Sequence, residues 1–445
     1  MQAQMFKLWK TARSSLWFMP SILVGIGIAL AFALVALEGS AGTRLLQRMP
    51  IAFGAGPDGA RGMLQTIAGS VLGLAGIAFS STLVVLSLSA STYTPRVLRN
   101  FTSDLGNQIV LGTLLSTFVY ALLVLRTIRN GENGGEGFVP TLAVTFAVLI
   151  AVLDLAVFIY FVHHIAQSIQ VSTITAGVAK ETKARIGDLF PQHLGKGPDE
   201  VDEPHEPRDR LVGARVPAPQ AGYLLLVDED DLMDLTTEHD LTLRLERRIG
   251  EFVPEGATLA MVAPRERMDT ELVAKIQQTC ALGQQRTLSQ DVEFGMRQLV
   301  DIALKALSPG INDVTTATTC LDHLGDILRQ LAPRAMPPRH RYDERGALRV
   351  IAPGPTFDGL MGLAFDQIRT AGRAQAAVLL RMLAILEDLA SVSESPSRRR
   401  TLLLHAKLLG KAAERGLPDE RDQGRISAEL ETVLRSLLVG GETTP

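Results

Sequence analysis

The chain has few of the features that mark secreted or nucleic-acid-binding proteins. Its two cysteines, Cys280 and Cys320, have no CxxC spacing, which is typical of buried thiols in a reducing compartment and not of a disulfide framework. Lys and Arg number 44 against 47 Asp and Glu. Because the chain has no basic excess, it gives no argument for a nucleic-acid partner.

Common catalytic signatures are also missing. The sequence contains no G-x-S-x-G, no P-loop, no HExxH and no dinucleotide fingerprint, so an enzyme is the least favoured class of function. Asp322 and Asp326 share a helix face, but no second His or Cys stands at ligand spacing. We therefore predict no metal site, and no cofactor is indicated.

Charge is scarce in the first third of the chain. Residues 1–165 hold 10 Lys+Arg and 6 Asp+Glu, against 34 and 41 in the remainder. A bilayer core requires about 20 apolar residues in helical conformation. Four runs meet that length, the last with one acid: Trp17–Leu37, Gly62–Pro95, Asn107–Leu125 and Phe138–Ile165. They predict four transmembrane helices, called spans one to four, and hence the lipid bilayer as a partner.

Basic residues near the span ends predict the orientation. Eight lie on the side of the amino terminus and of the stretch after span four, and five lie on the other side. The positive-inside rule then favours a bacterial inner-membrane protein with amino and carboxyl termini in the cytoplasm. The first run is longer than a signal-peptide core, so we expect a retained anchor.

Span two carries a stripe of small or hydroxyl side chains. Its members are spaced by 4, 3, 4, 7 and 4 residues and therefore share one helix face: Gly69, Gly73, Gly76, Ser80, Ser87 and Ser91. Close packing against other helices is one interpretation. The alternative is that the serines line a hydrated path, because hydroxyls can replace part of an ion's water shell.

Asp154 is the acid within span four. A carboxylate in a membrane span is costly and usually has a partner or a function. Two interpretations remain open: a structural acid that accepts a hydrogen bond from a span-two hydroxyl, or a proton or cation site.

The remainder predicts a soluble α+β domain that follows the membrane α-helical bundle and is mostly helical with a small β-subdomain. We expect four segments: 1–190, the spans with a helical extension; 191–210, an acidic Pro-rich linker; 211–265, the β-subdomain; and 266–445, the helical cytosolic domain.

Strands are predicted near Tyr223–Val227, Leu241–Leu245, Thr258–Val262 and Leu348–Ile351, with a short helix at Asp230–Glu238. The stretches Pro217–Tyr223 and Ile249–Gly256 resemble half of a barrel-sandwich domain of the biotinyl and lipoyl type, although no lysine stands at a hairpin tip for modification. An ordinary small sheet is the alternative.

The helical domain contains the candidate ligand residues. Helices are predicted at 269–282, 289–307, 313–331, 357–371, 374–390, 397–415 and 425–438. Ser289 is expected to cap the second of them, and a sharp turn, Ser308–Asp313, leads to the third. Glu293, Arg297 and Asp301 are spaced by four residues and can form a ladder of helix salt bridges, and the turn can be a capped αα-turn; these are the structural interpretations. A bound anion or small ligand is the alternative. The candidate residues are Asp291, Glu293, Arg297, Asp301, Asn312, Asp313 and Thr315.

Several stretches together resemble a known family. They are Phe79–Arg96, Gln108–Thr113, Arg286–Gly295, Gln298–Ala303 and Ala306–Asp313. The chain is similar in these to the uncharacterised bacterial membrane-protein family catalogued as domain of unknown function 2254. One departure is Val314, where that family's pattern has proline. The resemblance implies a bacterial inner-membrane protein and supplies no activity.

The sequence favours an oligomeric channel or transporter, with a cytosolic regulatory domain. Four spans are few for a transporter built from one chain, so a homo-oligomer is expected. The alternative is a membrane-anchored sensor or scaffold whose cytosolic domain binds a ligand or partner.

Overall fold

The computed structural model describes residues 17–41, 56–92, 104–130, 138–190 and 212–439. These residues divide into two compact units, one ending at Gln170 and the other beginning at Val171. The predicted linker 191–210 and the Pro95 turn after span two lie outside the described residues.

The first unit contains four helices that are long and apolar enough to cross a membrane. They are α1 (Phe18–Ala41), α2 (Pro57–Thr92), α3 (Leu105–Thr127) and α4 (Thr141–Ser168). The four predicted spans are thus confirmed as helices. Helix α2 begins at Pro57, whose missing N–H costs nothing in a first turn, and Asp58 follows it at the positive end of the helix dipole.

Helix α3 packs against each of the other three helices of the first unit. One apolar cluster joins Leu64, Tyr120 and Ala147, and a second joins Val71, Leu114 and Phe161. Small residues such as Ala68, Ala78 and Ala121 are fully or almost fully buried among them. Alanines at these positions allow the helix backbones to approach closely, which favours packing without a strong hydrophobic driving force between helices.

The second unit begins with helix α5 (Val171–Leu189). Span four was expected to continue without a break to residue 190, but α4 ends at Ser168 and a separate helix starts at Val171. Helix α5 packs against two later helices, and Lys183 pairs with Asp326 at 2.5 Å. The compact division therefore lies near residue 170, within the segment 1–190 that was predicted as the spans with a helical extension.

Two β-sheets, in which most strand pairs are antiparallel, form the β part. The strands are β1 (Ala214–Pro217), β2 (Gly222–Val227), β3 (Thr242–Leu245), β4 (Phe252–Val253), β5 (Thr258–Ala263), β6 (Cys280–Gly283), β7 (His340–Tyr342) and β8 (Leu348–Ile351). The larger sheet has the order β1-β5-β3-β8-β7 and the smaller has the order β4-β2-β6. Helices α6 (Glu229–Glu238) and α7 (Thr270–Thr279) contribute Leu232, Leu272 and Ile276 to the core that both sheets share.

The β part takes strands from outside the predicted range 211–265. In the larger sheet, Leu243 of β3 pairs in parallel with Val350 of β8. In the smaller sheet, Leu224 of β2 pairs with Leu282 of β6. The helix predicted at 269–282 is wrong in its last turn, because the backbone from Cys280 onward bonds to β2 instead of continuing α7.

Six further helices complete the second unit: α8 (Val292–Ala306), α9 (Val314–Leu331), α10 (Phe357–Ala371), α11 (Ala376–Val392), α12 (Pro396–Gly416) and α13 (Glu420–Val439). The predicted N-cap Ser289 is wrong. Asp291 caps α8 instead, and its carboxylate accepts the N–H of Phe294 at 3.0 Å. Helix α13 begins five residues before the predicted start at 425, since Gly424 is accommodated within it.

Candidate functional site

A cavity of about 480 Å³ lies in the second unit, between the β part and the start of α8. That volume falls within the range of small-molecule sites, roughly 300–1,000 Å³. Its apolar wall includes Leu226, Met233, Ile249, Val292 and Val350. Its charged lining residues are Asp228, Glu229, Asp230, Arg247, Arg248, Asp291, Glu293 and Arg341. We call this cavity the charged cleft.

Gln290 fixes one wall of the charged cleft to the other. Its side-chain oxygen accepts the N–H of Val227 at 2.9 Å, and its side-chain nitrogen donates to the carbonyl oxygen of Val227 at 3.0 Å. The amide thus pairs with the main chain of the last residue of β2 as a neighbouring strand would. Asp228, the next residue, caps α6 through the N–H of Asp231 at 3.3 Å.

Asp291 forms a bidentate ion pair at the floor of the charged cleft. Arg286 donates to its two oxygens at 2.8 and 3.0 Å, and the Asp291 side chain is almost fully buried. Gly250 packs directly on this pair, because a Cβ at that position would lie 2.4 Å from the Asp291 Oδ2 atom. Its φ of +86° also lies in the left-handed region that favours glycine. The charge of Asp291 is therefore already compensated.

Glu293 faces Arg248 across the charged cleft at 3.7 Å. Burial raises the pKa of the Glu293 carboxyl, and the nearby Arg248 guanidinium only partly opposes that shift. Arg248 also donates to Glu251 at 3.0 Å, and its own pKa is raised mainly by that hydrogen bond. Glu293 is thus paired with a cation inside the charged cleft.

The arginines of the charged cleft differ in how far they are compensated. Arg341 pairs with Glu229. Arg247 has a buried Nε atom without a hydrogen-bond partner, and within the described ranges no acid forms an ion pair with it. Asp228 and Asp230 also have no ion pair in the described structure; Asp228 caps α6, and Asp230 is exposed. Arg247 is therefore the arginine of the charged cleft that no described acid compensates.

The predicted ligand residues do not form one site. Asp291 and Glu293 line the charged cleft, whereas Arg297 donates to Gln367 on α10 at 2.9 Å and Asp301 lies further along α8. Asp313 caps α9 by accepting the Thr316 N–H at 3.0 Å. Because a carboxylate already occupies the helix start, this turn is a capped αα-turn, which was the structural interpretation. Asn312, with φ of +50°, accepts from Gln375, and Thr315 is exposed.

The stripe on span two points away from the helices of its own chain. Gly69, Gly73, Gly76, Ser80 and Ser87 are exposed, and the three glycines have no atom within 4 Å of a Cβ position. The opposite face of α2, with Leu64, Ala68, Ala75 and Ala78, is buried. Ser91 belongs to the helix, but its side chain lies outside the described atoms. Within one chain the stripe therefore packs against nothing described.

Asp154 is fully buried between spans three and four. The predicted partner was a hydroxyl of span two, but the hydroxyl that approaches Asp154 is that of Thr117 on span three. Thr117 donates its single proton to the Thr113 carbonyl at 3.1 Å. Both carboxylate oxygens of Asp154 consequently have no hydrogen-bond partner among the described residues.

The candidate metal ligands Asp322 and Asp326 form ion pairs within the fold. Asp322 pairs with Arg381 and Asp326 with Lys183, so neither carboxylate is available as a ligand without losing a cation. Over the described ranges, no group of three or more His, Cys, Asp or Glu could hold a metal ion. Cys280 and Cys320 are free and buried, and burial raises the pKa of the Cys280 thiol to about 11.

Arg247, Gln290 and Arg341 are among the residues of the charged cleft that sequence reasoning missed. Arg247 follows the period-two pattern of β3 and reads as an ordinary solvent-facing charge. Gln290 precedes α8 and resembles a helix-entry residue. Arg341 belongs to a basic, proline-rich break that had no assigned structure. Only the pairing of distant strands brings the three together, and no local sequence signal reports that pairing.

Comparisons with known proteins identify relatives but no activity. A family model described as "Predicted membrane protein (DUF2254)" matches residues 13–388. Uncharacterised proteins of Mycobacterium tuberculosis and Mycobacterium bovis are each 33% identical over 418 residues, which cover 93% of this chain and 79% of the relative. No solved structure matches the chain.

Proposed function

The chain belongs to the DUF2254 family of predicted membrane proteins, and from that premise we propose that it is a membrane-anchored sensor. Its four spans hold it in the bilayer, and its second unit binds a small organic anion in the charged cleft. The positive-inside bias supports a bacterial inner membrane with the charged cleft in the cytoplasm. The observation that carries the proposal is Arg247, an uncompensated cation in a cavity of ligand size.

The anionic character of the ligand follows from the state of the acids. Asp291 is held by Arg286, Glu229 by Arg341, and Asp228 by its role as a helix cap. Glu293 lies 3.7 Å from the guanidinium of Arg248. Arg247, which is half-buried, lacks such compensation, and a guanidinium is well matched by a carboxylate or a phosphate that accepts two hydrogen bonds at once. The apolar wall favours a ligand with an organic body.

Differential binding of charged probes tests this function. Full-length protein in detergent would be titrated with AMP and citrate as anions, adenosine as a neutral probe and spermidine as a cation, with thermal unfolding as the readout. We expect at least one anion to stabilise the wild type, with no effect of adenosine or spermidine. Arg247→Gln should weaken anion binding about 10-fold or more, as the loss of a charged hydrogen bond of about 1.5–3 kcal/mol predicts.

A matched control is Arg425→Gln on α13, an exposed arginine 3.5 Å from Asp422 and away from the charged cleft. It should leave anion binding unchanged. An anion sensor would be contradicted if spermidine alone stabilised the protein or if neither AMP nor citrate did. An equal loss of anion binding in the Arg247 and Arg425 variants would contradict it as well.

A second candidate function is an oligomeric channel or transporter, and the outward-facing stripe of α2 favours it. Glycines and serines exposed on a membrane helix permit close approach of another helix. In a homo-oligomer the same stripe would face other copies or a shared path. Spans one, three and four would then form the outer wall around it.

Cysteine crosslinking in native membranes tests that arrangement. Gly73→Cys and Ser80→Cys lie on the stripe, whereas Ala75→Cys lies on the buried face as the control. A disulfide needs Cα atoms about 4.4–6.8 Å apart. Covalent dimers from the stripe variants and none from Ala75→Cys would support the oligomer. Uniformly monomeric stripe variants would exclude it, and the buried Cys280 and Cys320 keep the background low.

A further inference from the structure

Asp154 has an environment that disfavours its ionised form. The side chain is fully buried, and neither of its oxygens has a hydrogen-bond partner in the described structure. An ionised carboxylate in an apolar environment is very costly unless it is paired or hydrogen-bonded. Glu38, another carboxylate of the first unit, shows the contrast. Its two oxygens accept the N–H groups of Thr141 and Leu142 at 2.6 and 3.0 Å.

No described charge compensates Asp154 from the helices packed around it. On α1, Glu38 contacts the start of α4, 13 residues from Asp154 and thus about 20 Å away along the helix. Asp58 and Arg61 lie in the first turns of α2. Toward the other end, Asp104 pairs with His164 at 2.8 Å, with His163 beside it, about 15 Å along α4 from Asp154. The α3 residue beside Asp154 is the uncharged Thr117.

A cavity of about 140 Å³ begins one helical turn from Asp154, at Ile150. Its wall is mostly apolar, with Leu23, Ile26, Leu30 and Ile150, and four hydroxyl residues complete it: Thr113, Ser116, Thr117 and Tyr120. Each hydroxyl donates its proton to a backbone carbonyl, as Ser116 does to Leu23 at 2.8 Å and Tyr120 to Ala143 at 2.9 Å. Their oxygens consequently keep lone pairs that can accept a proton donor, and the volume suffices for a few water molecules.

We propose that Asp154 is a proton-binding site of the membrane bundle, which exchanges its proton through the hydroxyl-lined cavity. With the proton bound, the carboxyl is neutral and compatible with its burial. Release requires water to enter along Thr117 and Ile150 and to solvate the carboxylate. The site goes beyond the sensor function and does not depend on the charged cleft.

Carbodiimide labelling measures this proton directly. Dicyclohexylcarbodiimide partitions into membranes and reacts with carboxyl groups only when they are protonated. Full-length protein in liposomes would be labelled at several pH values from about 5 to 9, and the modified peptides would be quantified by mass spectrometry. We expect labelling of Asp154 to fall at least fivefold toward alkaline pH. Glu38, whose two oxygens each accept a backbone N–H, is the internal control and should be labelled less than Asp154.

Three outcomes would overturn the proposal. They are an Asp154 that stays unlabelled at all pH values, labelling that is constant with pH, and labelling of Glu38 equal to that of Asp154. Protection by sodium but not by potassium at constant pH would show a cation site instead of a proton site. Because the measurement uses the wild type, it does not depend on a variant that folds. Asp154→Asn serves only to confirm the identity of the modified residue.

Discussion

The carboxylate of Glu38 accepts the backbone N–H of Thr141 at 2.6 Å, across 103 residues of sequence. Its second oxygen accepts the N–H of Leu142 at 3.0 Å. The first N–H groups of a helix have no partner within the helix, and α4 begins with Pro140 as an N-cap that offers no side-chain hydrogen bond. A side chain from the end of span one therefore caps span four, which ties together the two helices at this end of the bundle.

Glu38→Gln should destabilise the first unit by about 2 kcal/mol, because charged hydrogen bonds to backbone N–H groups contribute about 1.5–3 kcal/mol each and an amide replaces only part of them. Thermal unfolding in detergent measures the loss. Asp58→Asn is the control, since this acid is 93% exposed in the first turn of α2. Equal shifts for both variants would show that Glu38 acts only through the helix dipole.

Glu38 also illustrates what could and could not be predicted from the sequence. The four spans, the strand Leu348–Ile351 and the helix at 357–371 follow from local patterns of hydrophobicity and breakers, and the structure has them where expected. The cap of α4, the pairing of Leu243 with Val350 and the strand at Cys280 depend on residues far apart in sequence. A charge at residue 38 carries no sign that its partner lies at 141.

The charged cleft also depends on contacts between residues that are far apart in sequence. Asp291 was proposed as a ligand residue from its place in the first turn of a predicted helix and Glu293 from its helix spacing, and both line the cleft. The spacing itself was not the cause, because Arg297 on the same predicted ladder contacts Gln367 instead. The cation that distinguishes the charged cleft, Arg247, follows β3 in sequence and meets residues 290–293 only in the folded structure. Local sequence patterns can therefore nominate single residues, but not the assembly of a site.

Gly250→Ala should destabilise the second unit by about 2 kcal/mol more than Gly256→Ala. Both glycines have positive φ, +86° and +71°, so both variants lose the free energy of placing a side chain in the left-handed region, about 1–2 kcal/mol. Only at residue 250 does the new Cβ collide with the buried Arg286–Asp291 pair. Thermal unfolding of the two variants measures the difference.

A second measurement tests the cause of that difference. In an Asp291→Ala background the Cβ at residue 250 has no carboxylate to collide with, so the additional loss should shrink. Equal destabilisation at positions 250 and 256 in the wild-type background would contradict the collision.

Gln290→Ala should cost about 2 kcal/mol in unfolding free energy, because both hydrogen bonds to Val227 disappear and each contributes about 1 kcal/mol. Gln290→Glu should cost at least as much, since its carboxylate can accept the Val227 N–H but repels the Val227 carbonyl oxygen. Gln277→Ala, which removes one exposed bond of 2.7 Å to Pro217, is the control and should cost less than about 0.5 kcal/mol. Chemical denaturation followed by circular dichroism provides the values.

Asp313 gives the second unit a part of its acid sensitivity. The Thr316 hydroxyl and, next in importance, the Thr316 N–H hold the pKa of the Asp313 carboxyl below its ordinary value of 3.8. A carboxyl whose pKa is lowered in the folded state stabilises the fold above its ordinary pKa, and this contribution is lost as the pH falls toward the lower folded value.

Asp313→Asn removes the titration, so its unfolding temperature should be lower than that of the wild type above about pH 5 and should converge with it in stronger acid. Thr316→Val keeps the backbone donor and removes the hydroxyl. In this background, the difference in unfolding temperature that Asp313→Asn causes above about pH 5 should be smaller but should not vanish. Melting curves for the three proteins that remain parallel down to about pH 3 would show that the acid sensitivity of the fold arises elsewhere.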